Sequence, residues 1–177
     1  VELTDPAMRL DVGAIAKGYA TERIAQKLEE LGYSGILLNI GGNSRTVGYK
    51  NGGEGLWTIG IDNPVEETGK SDAYTDRVRV GPGAVVTSGL YQRYFIYEGK
   101  KYHHIIDPDS LFPEYRYLMV SIVCPSSALA DGLSTALFNM DLEEGQKLID
   151  SIEDTEALWL KMDGSIVKSK GFEALEP

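Results

Sequence analysis

The chain has 177 residues, of which 42% are hydrophobic and 25% charged, and this predicts one globular domain with a buried core rather than a disordered, collagen-like or coiled-coil protein. No apolar run approaches the roughly 18 to 20 residues that a membrane-spanning helix requires. The formal net charge of −10 argues against a nucleic-acid partner, and any diphosphate ligand would need a metal ion, a lysine or backbone N–H groups beside it.

A helix is the first predicted element, over Gly13–Leu31, where apolar residues recur at helical spacing. Asp11 is a plausible N-cap and Gly32 a C-terminal stop. A short buried strand over Ser34–Ile40 follows and ends at the Gly41-Gly42-Asn43 turn. Further strands are predicted over Arg45–Tyr49, Leu56–Ile61, Ala73–Val80, Ala84–Thr87, Tyr91–Tyr97 and Lys101–Ile106, the last two joined by a hairpin turn at Glu98-Gly99-Lys100.

The carboxyl-terminal part continues with an apolar strand over Tyr117–Cys124, which Pro125 ends. Cys124 is the only cysteine, so an internal disulfide and a cysteine-based zinc site are excluded, and its strand predicts a buried thiol. Two helices and a closing hairpin follow: Ser126 or Ser127 to about Met140, Leu142–Ile152, and Leu158–Met162 with Ser165–Lys168 around Asp163-Gly164. The order predicts a single α+β domain over residues 1–177, a mostly antiparallel sheet packed with helices.

The helix that begins at Ser127 carries one polar pair with possible chemistry. Asp131 and Thr135 are spaced i and i+4, opposite an apolar side that includes Leu133 and Leu137. A carboxylate and a hydroxyl placed together offer two hard oxygen ligands, which suits Mg²⁺. A solvated acidic residue near a helix start fits the spacing as well, and spacing alone favours that alternative.

The two histidines lie at the end of a predicted strand, in the order His103, His104, before Ile106 and the loop that starts at Asp107-Pro108. Side chains of neighbouring strand residues point to opposite faces, so at most one histidine can serve a given site, and His104 shares the face of Ile106. A histidine here is either a hydrogen-bonded structural residue or a general base that titrates near neutral pH.

Lys17 lies in a segment, Gly13–Gly18, that superficially resembles a phosphate-binding loop. Its glycine spacing is wrong for that motif, and helical periodicity runs through it. Lys17 is therefore either a surface lysine or a ligand-binding one, and the residues alone leave both open. The glycine turns at Gly41-Gly42 and Gly89 are equally compatible with close backbone approach to a ligand and with plain turns.

Five motifs occur together in a particular order along the chain. They are Asp11-Val12-Gly13-Ala14-Ile15-Ala16-Lys17-Gly18-Tyr19-Ala20, Asn39-Ile40-Gly41-Gly42-Asn43, Thr87-Ser88-Gly89, His104-Ile105-Ile106-Asp107-Pro108 and Ala130-Asp131-Gly132-Leu133-Ser134-Thr135-Ala136-Leu137. Because it has these five motifs in this order, the chain resembles the ApbE family of FAD:protein FMN transferases. The resemblance extends from about Leu10 to Met140. The resemblance implies an α+β fold related to the T-fold, of which this chain would be the carboxy-terminal portion without the family's amino-terminal part.

The resemblance also implies roles for individual residues. It places a Mg²⁺ site at Asp131, Thr135 and the backbone carbonyl of Ala14, contacts to FAD at Asp11, Lys17 and Ile106, and activation of the acceptor hydroxyl at His104. One departure lies beside that histidine, where Asp109-Ser110-Leu111-Phe112-Pro113 replaces the family's usual Thr-Gly-x-Pro turn, so the loop is expected to sit differently.

The implied function is Mg²⁺-dependent transfer of the FMN moiety of FAD onto a threonine or serine hydroxyl of an acceptor flavoprotein, with release of AMP. The acceptor would be a subunit of a redox complex or an electron-transfer lipoprotein. The resemblance further suggests an extracytoplasmic, membrane-anchored lipoprotein. Two alternatives stay open: Mg²⁺-dependent hydrolysis of FAD to FMN and AMP, and a non-catalytic flavin-binding module.

Overall fold

The computed structural model describes residues 2–51, 53–64, 69 and 72–177. Its helices are α1 (Gly13–Glu30), α2 (Ser127–Asn139) and α3 (Leu142–Asp150), with a short 3₁₀ helix over Phe172–Leu175. Its strands are β1 (Ile36–Ile40), β2 (Asn43–Val47), β3 (Trp57–Asp62), β4 (Tyr74–Val80), β5 (Gly83–Gly89), β6 (Tyr94–Tyr97), β7 (Lys100–His103), β8 (Tyr117–Cys124), β9 (Glu156–Lys161) and β10 (Ile166–Lys168).

Six of these strands form one antiparallel sheet in the order β1-β2-β5-β8-β9-β10. The pairs β3–β4 and β6–β7 form two separate antiparallel hairpins. Helices α1 and α2 pack on each other and on the sheet. The predicted α+β class with a mostly antiparallel sheet is confirmed, while the 3₁₀ helix was not predicted.

The turn between β1 and β2 is tighter than predicted. Ile40 pairs directly with Asn43, so only Gly41 and Gly42 connect the strands, with φ of +59° and +88°. Two consecutive left-handed residues make the type I′ turn that joins twisted antiparallel strands, and glycine adopts that conformation without steric cost. As a result β2 begins at Asn43, two residues before the predicted start at Arg45.

The hydrophobic core lies around the central strand β8, all of whose residues are buried. Trp159 of β9 and Phe138 of α2 are fully buried against it. Cys124 at the end of β8 is buried, as predicted, and desolvation raises the pKa of its thiol. A raised pKa disfavours the thiolate, which is the reactive form, so this cysteine is a structural residue.

Helix α1 was predicted from apolar spacing, and it forms, but those apolar residues do not face the core. Ile15 and Tyr19 are exposed at 48% and 60%. The buried positions of α1 are Gly18, Thr21, Glu22 and Ala25. A Cβ on Gly18 would lie 2.3 Å from the Ser127 carbonyl oxygen, so the missing side chain is what allows α1 to approach α2 so closely.

The carboxyl end of α1 stops as predicted at Gly32, where φ is +79°. The Gly32 amide donates to the Glu29 carbonyl, and the Tyr33 amide donates to the Leu28 carbonyl, both at 2.9 Å. This pair of bonds is a Schellman motif, which satisfies carbonyls at the helix end.

A buried ion pair joins α1, β2 and α2. Glu22 and Arg45 are both at least nine-tenths buried, and the guanidinium Nε lies 3.1 Å from a Glu22 carboxylate oxygen. The Ser127 amide donates to the same carboxylate at 2.7 Å. Because a buried charge is stable only when it is paired and hydrogen-bonded, this carboxylate fixes the start of α2 relative to α1.

Of the helices that the structure describes, none combines the length and the apolar character needed to cross a membrane.

Candidate active site

A cavity of about 450 Å³ opens between the first turns of α1, the Gly41 turn, the end of β5 and the segment after β7. Six of the seven predicted site residues line it: Asp11, Ala14, Lys17, His104, Ile106 and Thr135. These residues come from three separate segments of the chain. The fold therefore brings these six residues to one cavity.

Asp131, the seventh predicted residue, lies behind the cavity wall. It is only 2% exposed, so the alternative of a solvated residue near the helix start is wrong. The Lys17 ammonium lies 3.0 Å from Asp131 Oδ1, and the Gly18 amide donates to Oδ2 at 2.7 Å. Lys17 is thus neither a free surface lysine nor distant from the site, since it pairs with Asp131 while lining the cavity.

The donor set fits a hard divalent cation. Asp131 offers a carboxylate that already binds one cation, and Thr135 offers a hydroxyl on the cavity wall one helical turn later. Ala14, in the first turn of α1, also lines the cavity and adds a backbone carbonyl oxygen as the third group. All three groups are oxygen ligands of the kind Mg²⁺ prefers.

A metal bound here would not be enclosed by protein ligands alone. Across the part of the chain that the structure describes, there is no group of three or more His, Cys, Asp or Glu residues that could hold a metal ion. Mg²⁺ commonly keeps several waters and binds through one or two carboxylates together with substrate phosphates.

Asp11 differs in its local role from the prediction. The N-cap of α1 is Val12, not Asp11, and no side chain caps the helix there. Asp11 is the residue before the N-cap. Its Oδ1 accepts a hydrogen bond from the amide of Gly13, the first helical residue, at 2.7 Å. This bond holds the Asp11 carboxylate against the first turn of α1 at the cavity.

The two histidines lie in different surroundings, His103 buried at the end of β7 and His104 exposed in the loop that follows. His103 is 3% exposed and lies edge-on to the rings of Tyr115 and Phe138, at centroid distances of 5.0 and 5.9 Å. Its Nδ1 accepts a hydrogen bond from the Ile105 amide at 3.3 Å. Burial lowers the pKa of His103, so the neutral imidazole is favoured and this histidine is a structural one.

His104 is exposed and lines the cavity together with Ile106. Strand β7 ends at His103, three residues before the predicted end, so His104 belongs to the loop that follows. Its Nδ1 lies 3.2 Å from the Arg93 carbonyl oxygen. A carbonyl can only accept, so Nδ1 carries the proton and Nε2 of the neutral ring keeps its lone pair. That tautomer suits a general base.

The loop after His104 closes despite its unusual sequence. The Asp107 carboxylate accepts hydrogen bonds from the amides of Asp109 and Ser110, and hydrogen bonding with Ser110 lowers its pKa. The Leu111 amide donates to the Asp107 carbonyl, and Ile106 forms a β-bridge with Pro113. The segment that replaces the family's usual turn therefore still returns the chain to the cavity edge.

Comparison with known proteins decides the family. The model of the ApbE family matches residues 1–159. The chain belongs to the ApbE family. It is 35% identical over 170 residues to a FAD:protein FMN transferase of Klebsiella pneumoniae and 37% identical over 179 residues to one of Treponema pallidum. These alignments cover 96% and 97% of this chain but 51% and 49% of the relatives, so the chain spans about half their length.

Solved structures of ApbE proteins have the same fold. The ApbE protein of Thermotoga maritima superposes with a TM-score of 0.83 at 34% identity, covering 96% of this chain and 54% of the other. The flavin transferase ApbE of Vibrio cholerae gives 0.76 at 27% identity, covering 96% of this chain and 53% of the other. A structure of that Vibrio enzyme with one histidine replaced by glycine also matches, with a TM-score of 0.75.

Some cavity residues of this ApbE chain were not predicted as site residues. Arg93 was placed inside a strand over Tyr91–Tyr97, but β6 begins only at Tyr94, and Arg93 lines the cavity beside His104. The available signal was a cationic side chain within a predicted strand that is rich in aromatic residues. Ser88 also lines the cavity, and it was named only as a member of the Thr87-Ser88-Gly89 motif, without a role of its own. Lys17, which pairs with Asp131, and Arg93 thus place two cationic side chains at this cavity of an acidic protein.

Proposed function

We propose that this ApbE chain carries the catalytic residues for Mg²⁺-dependent transfer of the FMN moiety of FAD onto a threonine or serine hydroxyl of an acceptor flavoprotein. One observation carries the proposal: His104, with its Nδ1 proton donated to the Arg93 carbonyl, lines the same cavity as Lys17 and Thr135. A base, a cation and a metal-type oxygen ligand around one cavity are what phosphoryl-type transfer requires.

The proton transfer is assigned to His104. Its Nε2 lone pair takes the proton of the acceptor hydroxyl as that oxygen forms a bond to the FMN-side phosphorus of FAD. The phosphoanhydride bond breaks in the same displacement, and AMP leaves with the electron pair. His104 must then release its proton before the next turnover. The Arg93 carbonyl keeps the ring in the tautomer that this step needs.

We assign neutralisation of the negative charge on the diphosphate mainly to groups on α1 and α2. Mg²⁺ bound by Asp131, Thr135 and the Ala14 carbonyl would neutralise negative charge on the diphosphate oxygens. Lys17 and Arg93 add positive charge on the cavity wall, and Asp11 and Ile106 would contact the rest of FAD. With these groups in place few other residues are needed, because such transfer depends mainly on positioning and charge stabilisation.

The acceptor and the location belong to the same proposal. The acceptor would be a flavoprotein subunit of a redox or electron-transfer complex, and the protein would act outside the cytoplasm as a membrane-anchored lipoprotein. Support for both comes from the resemblance to the family. Cell fractionation followed by immunodetection tests the location, and a protein found only in the cytosolic fraction would contradict it.

The test of the activity is mass spectrometry of an acceptor domain incubated with the protein, FAD and Mg²⁺. We expect the acceptor to gain the mass of FMN while AMP appears in equal amount. His104→Asn is the matched variant, because its amide NH₂ can still donate to the Arg93 carbonyl but offers no base. We expect it to slow transfer by roughly 10² to 10⁴ fold while FAD binding, measured by flavin fluorescence, stays unchanged.

Each other outcome selects an alternative. Transfer at the normal rate by His104→Asn would remove His104 as the base. Free FMN and AMP without modified acceptor would favour hydrolysis of FAD. Bound FAD without any product would favour a non-catalytic flavin-binding module.

A further inference from the structure

A group of three hydroxyls lies where β5 meets α2. Ser88 Oγ lies 2.7 Å from Ser134 Oγ and 3.3 Å from Thr135 Oγ1. Ser134 is fully buried, whereas Ser88 and Thr135 are partly exposed and line the cavity. Ser88 therefore touches the hydroxyl that the proposed function assigns to the metal, without itself being among the assigned ligands.

The direction of each hydrogen bond follows from counting protons. The Ser134 hydroxyl donates to the Asp131 carbonyl at 3.0 Å, and a carbonyl oxygen can only accept. A serine hydroxyl has one proton, so in the 2.7 Å contact with Ser88 the donor must be Ser88. The single proton of Ser88 is thereby used, and towards Thr135 the Ser88 oxygen can only accept.

This arrangement fixes the orientation of the Thr135 hydroxyl. The acceptors in its reach are Ser88 Oγ at 3.3 Å and the Asp131 carbonyl at 3.4 Å, both on the protein side. With its proton directed there, the Thr135 oxygen keeps its lone pairs for the cavity. A hydroxyl binds a cation through a lone pair, and it cannot do so if its proton points at the cation.

We infer that Ser88 is a positioning residue that accepts the Thr135 proton, with its own proton held by Ser134, and so presents the Thr135 lone pairs to Mg²⁺. The inference rests on the proposed function, since it concerns the metal site of that reaction. It extends the site by two residues, Ser88 and Ser134, which orient a ligand without binding the metal themselves.

The test is the affinity for Mn²⁺, a paramagnetic substitute for Mg²⁺, measured by electron paramagnetic resonance with FAD present. Ser88→Ala should weaken Mn²⁺ binding by about tenfold, the lower end for loss of a group that orients a metal ligand. Ser88→Thr keeps the hydroxyl and should restore most of the affinity. In transfer assays the Mg²⁺ concentration for half-maximal rate should rise in Ser88→Ala.

Ser134→Ala provides an independent test of the proton direction. Without Ser134 the Ser88 proton is free to point at Thr135 Oγ1, where it would compete with the cation for a lone pair. Mn²⁺ binding should therefore weaken although Ser134 itself does not line the cavity. Ser151→Ala, an exposed serine at the end of α3, is the control and should bind Mn²⁺ like the unchanged protein.

The outcomes separate this inference from the function on which it rests. Equal Mn²⁺ affinity of Ser88→Ala and the unchanged protein overturns the role of Ser88 and leaves the transferase proposal standing. Equal weakening in Ser88→Ala and Ser88→Thr also overturns it, because packing rather than the hydroxyl would then be responsible. If the unchanged protein binds FAD but no Mn²⁺, the metal site of the proposed function fails and the inference fails with it.

Discussion

The Lys17 ammonium lies 3.0 Å from Asp131 Oδ1, so the carboxylate proposed to bind Mg²⁺ already pairs with a cation of the protein. Asp131 is 2% exposed, and a carboxylate so buried must be neutralised. Its other oxygen accepts from the Gly18 amide. A metal ion that binds Oδ1 would compete with Lys17 for this carboxylate, and a Lys17 released from it could bind an anionic group in the cavity.

Lys17→Met tests this competition, because it keeps the length of the side chain and removes the charge. Asp131 then loses its ion-pair partner, and unfolding should become easier by about 2 kcal/mol, below the value for a fully buried pair since Lys17 is one-third exposed. Mg²⁺ should replace the missing cation. Thermal unfolding should therefore show a larger rise of Tm on adding Mg²⁺ in Lys17→Met than in the unchanged protein.

Lys27→Met is the matched control on the same helix. Lys27 pairs with Glu30 at 3.0 Å, but both side chains are well exposed, so its loss should change stability by less than about 1 kcal/mol. Its response to Mg²⁺ should equal that of the unchanged protein. A Mg²⁺ response of Lys17→Met no larger than that of Lys27→Met would show that Lys17 and the metal do not compete.

The sequence predicted which segments form helices and strands better than which sides they bury. Apolar residues at helical spacing located α1 correctly, yet Ile15 and Tyr19 are exposed and Gly18 and Glu22 are buried. Periodicity reports a helix wherever apolar residues recur, but the packed face is decided by close approach and by charge pairing. Both depend on α2 and β2, which are distant in sequence.

The site shows the same limit at the level of single residues. Spacing alone favoured a solvated Asp131, because nothing local indicates that the Lys17 ammonium and the Gly18 amide converge on it from 113 or more residues away. Only the ordered family motifs pointed to its role. The position of Arg93 at the cavity was missed because the predicted strand began three residues before β6 does, which placed Arg93 inside it. Boundaries are the part of an element that sequence patterns locate least well.

Two helix-interior glycines should respond to alanine with opposite signs. A Cβ on Gly18 would lie 2.3 Å from the Ser127 carbonyl oxygen and 2.4 Å from Asp131 Cβ, so α1 and α2 would have to separate. The clash should exceed the roughly 1 kcal/mol that alanine gains in helix propensity, for a net loss of about 2 kcal/mol in unfolding free energy. Urea denaturation of Gly18→Ala and of the unchanged protein measures this difference in unfolding free energy.

Gly132→Ala is the matched substitution on α2. There a Cβ would meet only Ile15 Cγ2 at 3.5 Å, an ordinary contact, so the propensity gain should remain and stability should rise by up to about 1 kcal/mol. If Gly18→Ala is as stable as Gly132→Ala, the close approach of the two helices at Gly18 does not constrain the fold.

His103 should make stability depend on pH below neutrality. Burial between Tyr115 and Phe138 lowers its pKa in the folded protein from the ordinary value of 6.5. As pH falls through 6.5 the unfolded chain takes up this proton first, so the unfolded state is favoured. The stabilisation is complete above pH 6.5 and decreases as pH falls towards the folded pKa, with a slope of at most about 1.4 kcal/mol per pH unit.

The measurement is urea denaturation of the unchanged protein and of His103→Asn at a series of pH values between 7 and 5. Asparagine cannot take up a proton in that range, so the difference between the two proteins gives the contribution of His103 to the pH dependence of stability. We expect His103→Asn to be less stable at pH 7, because the smaller side chain leaves space between the two rings, but to lose less stability on acidification. If His103→Asn loses as much stability on acidification as the unchanged protein, the assignment of the pH dependence to His103 is contradicted.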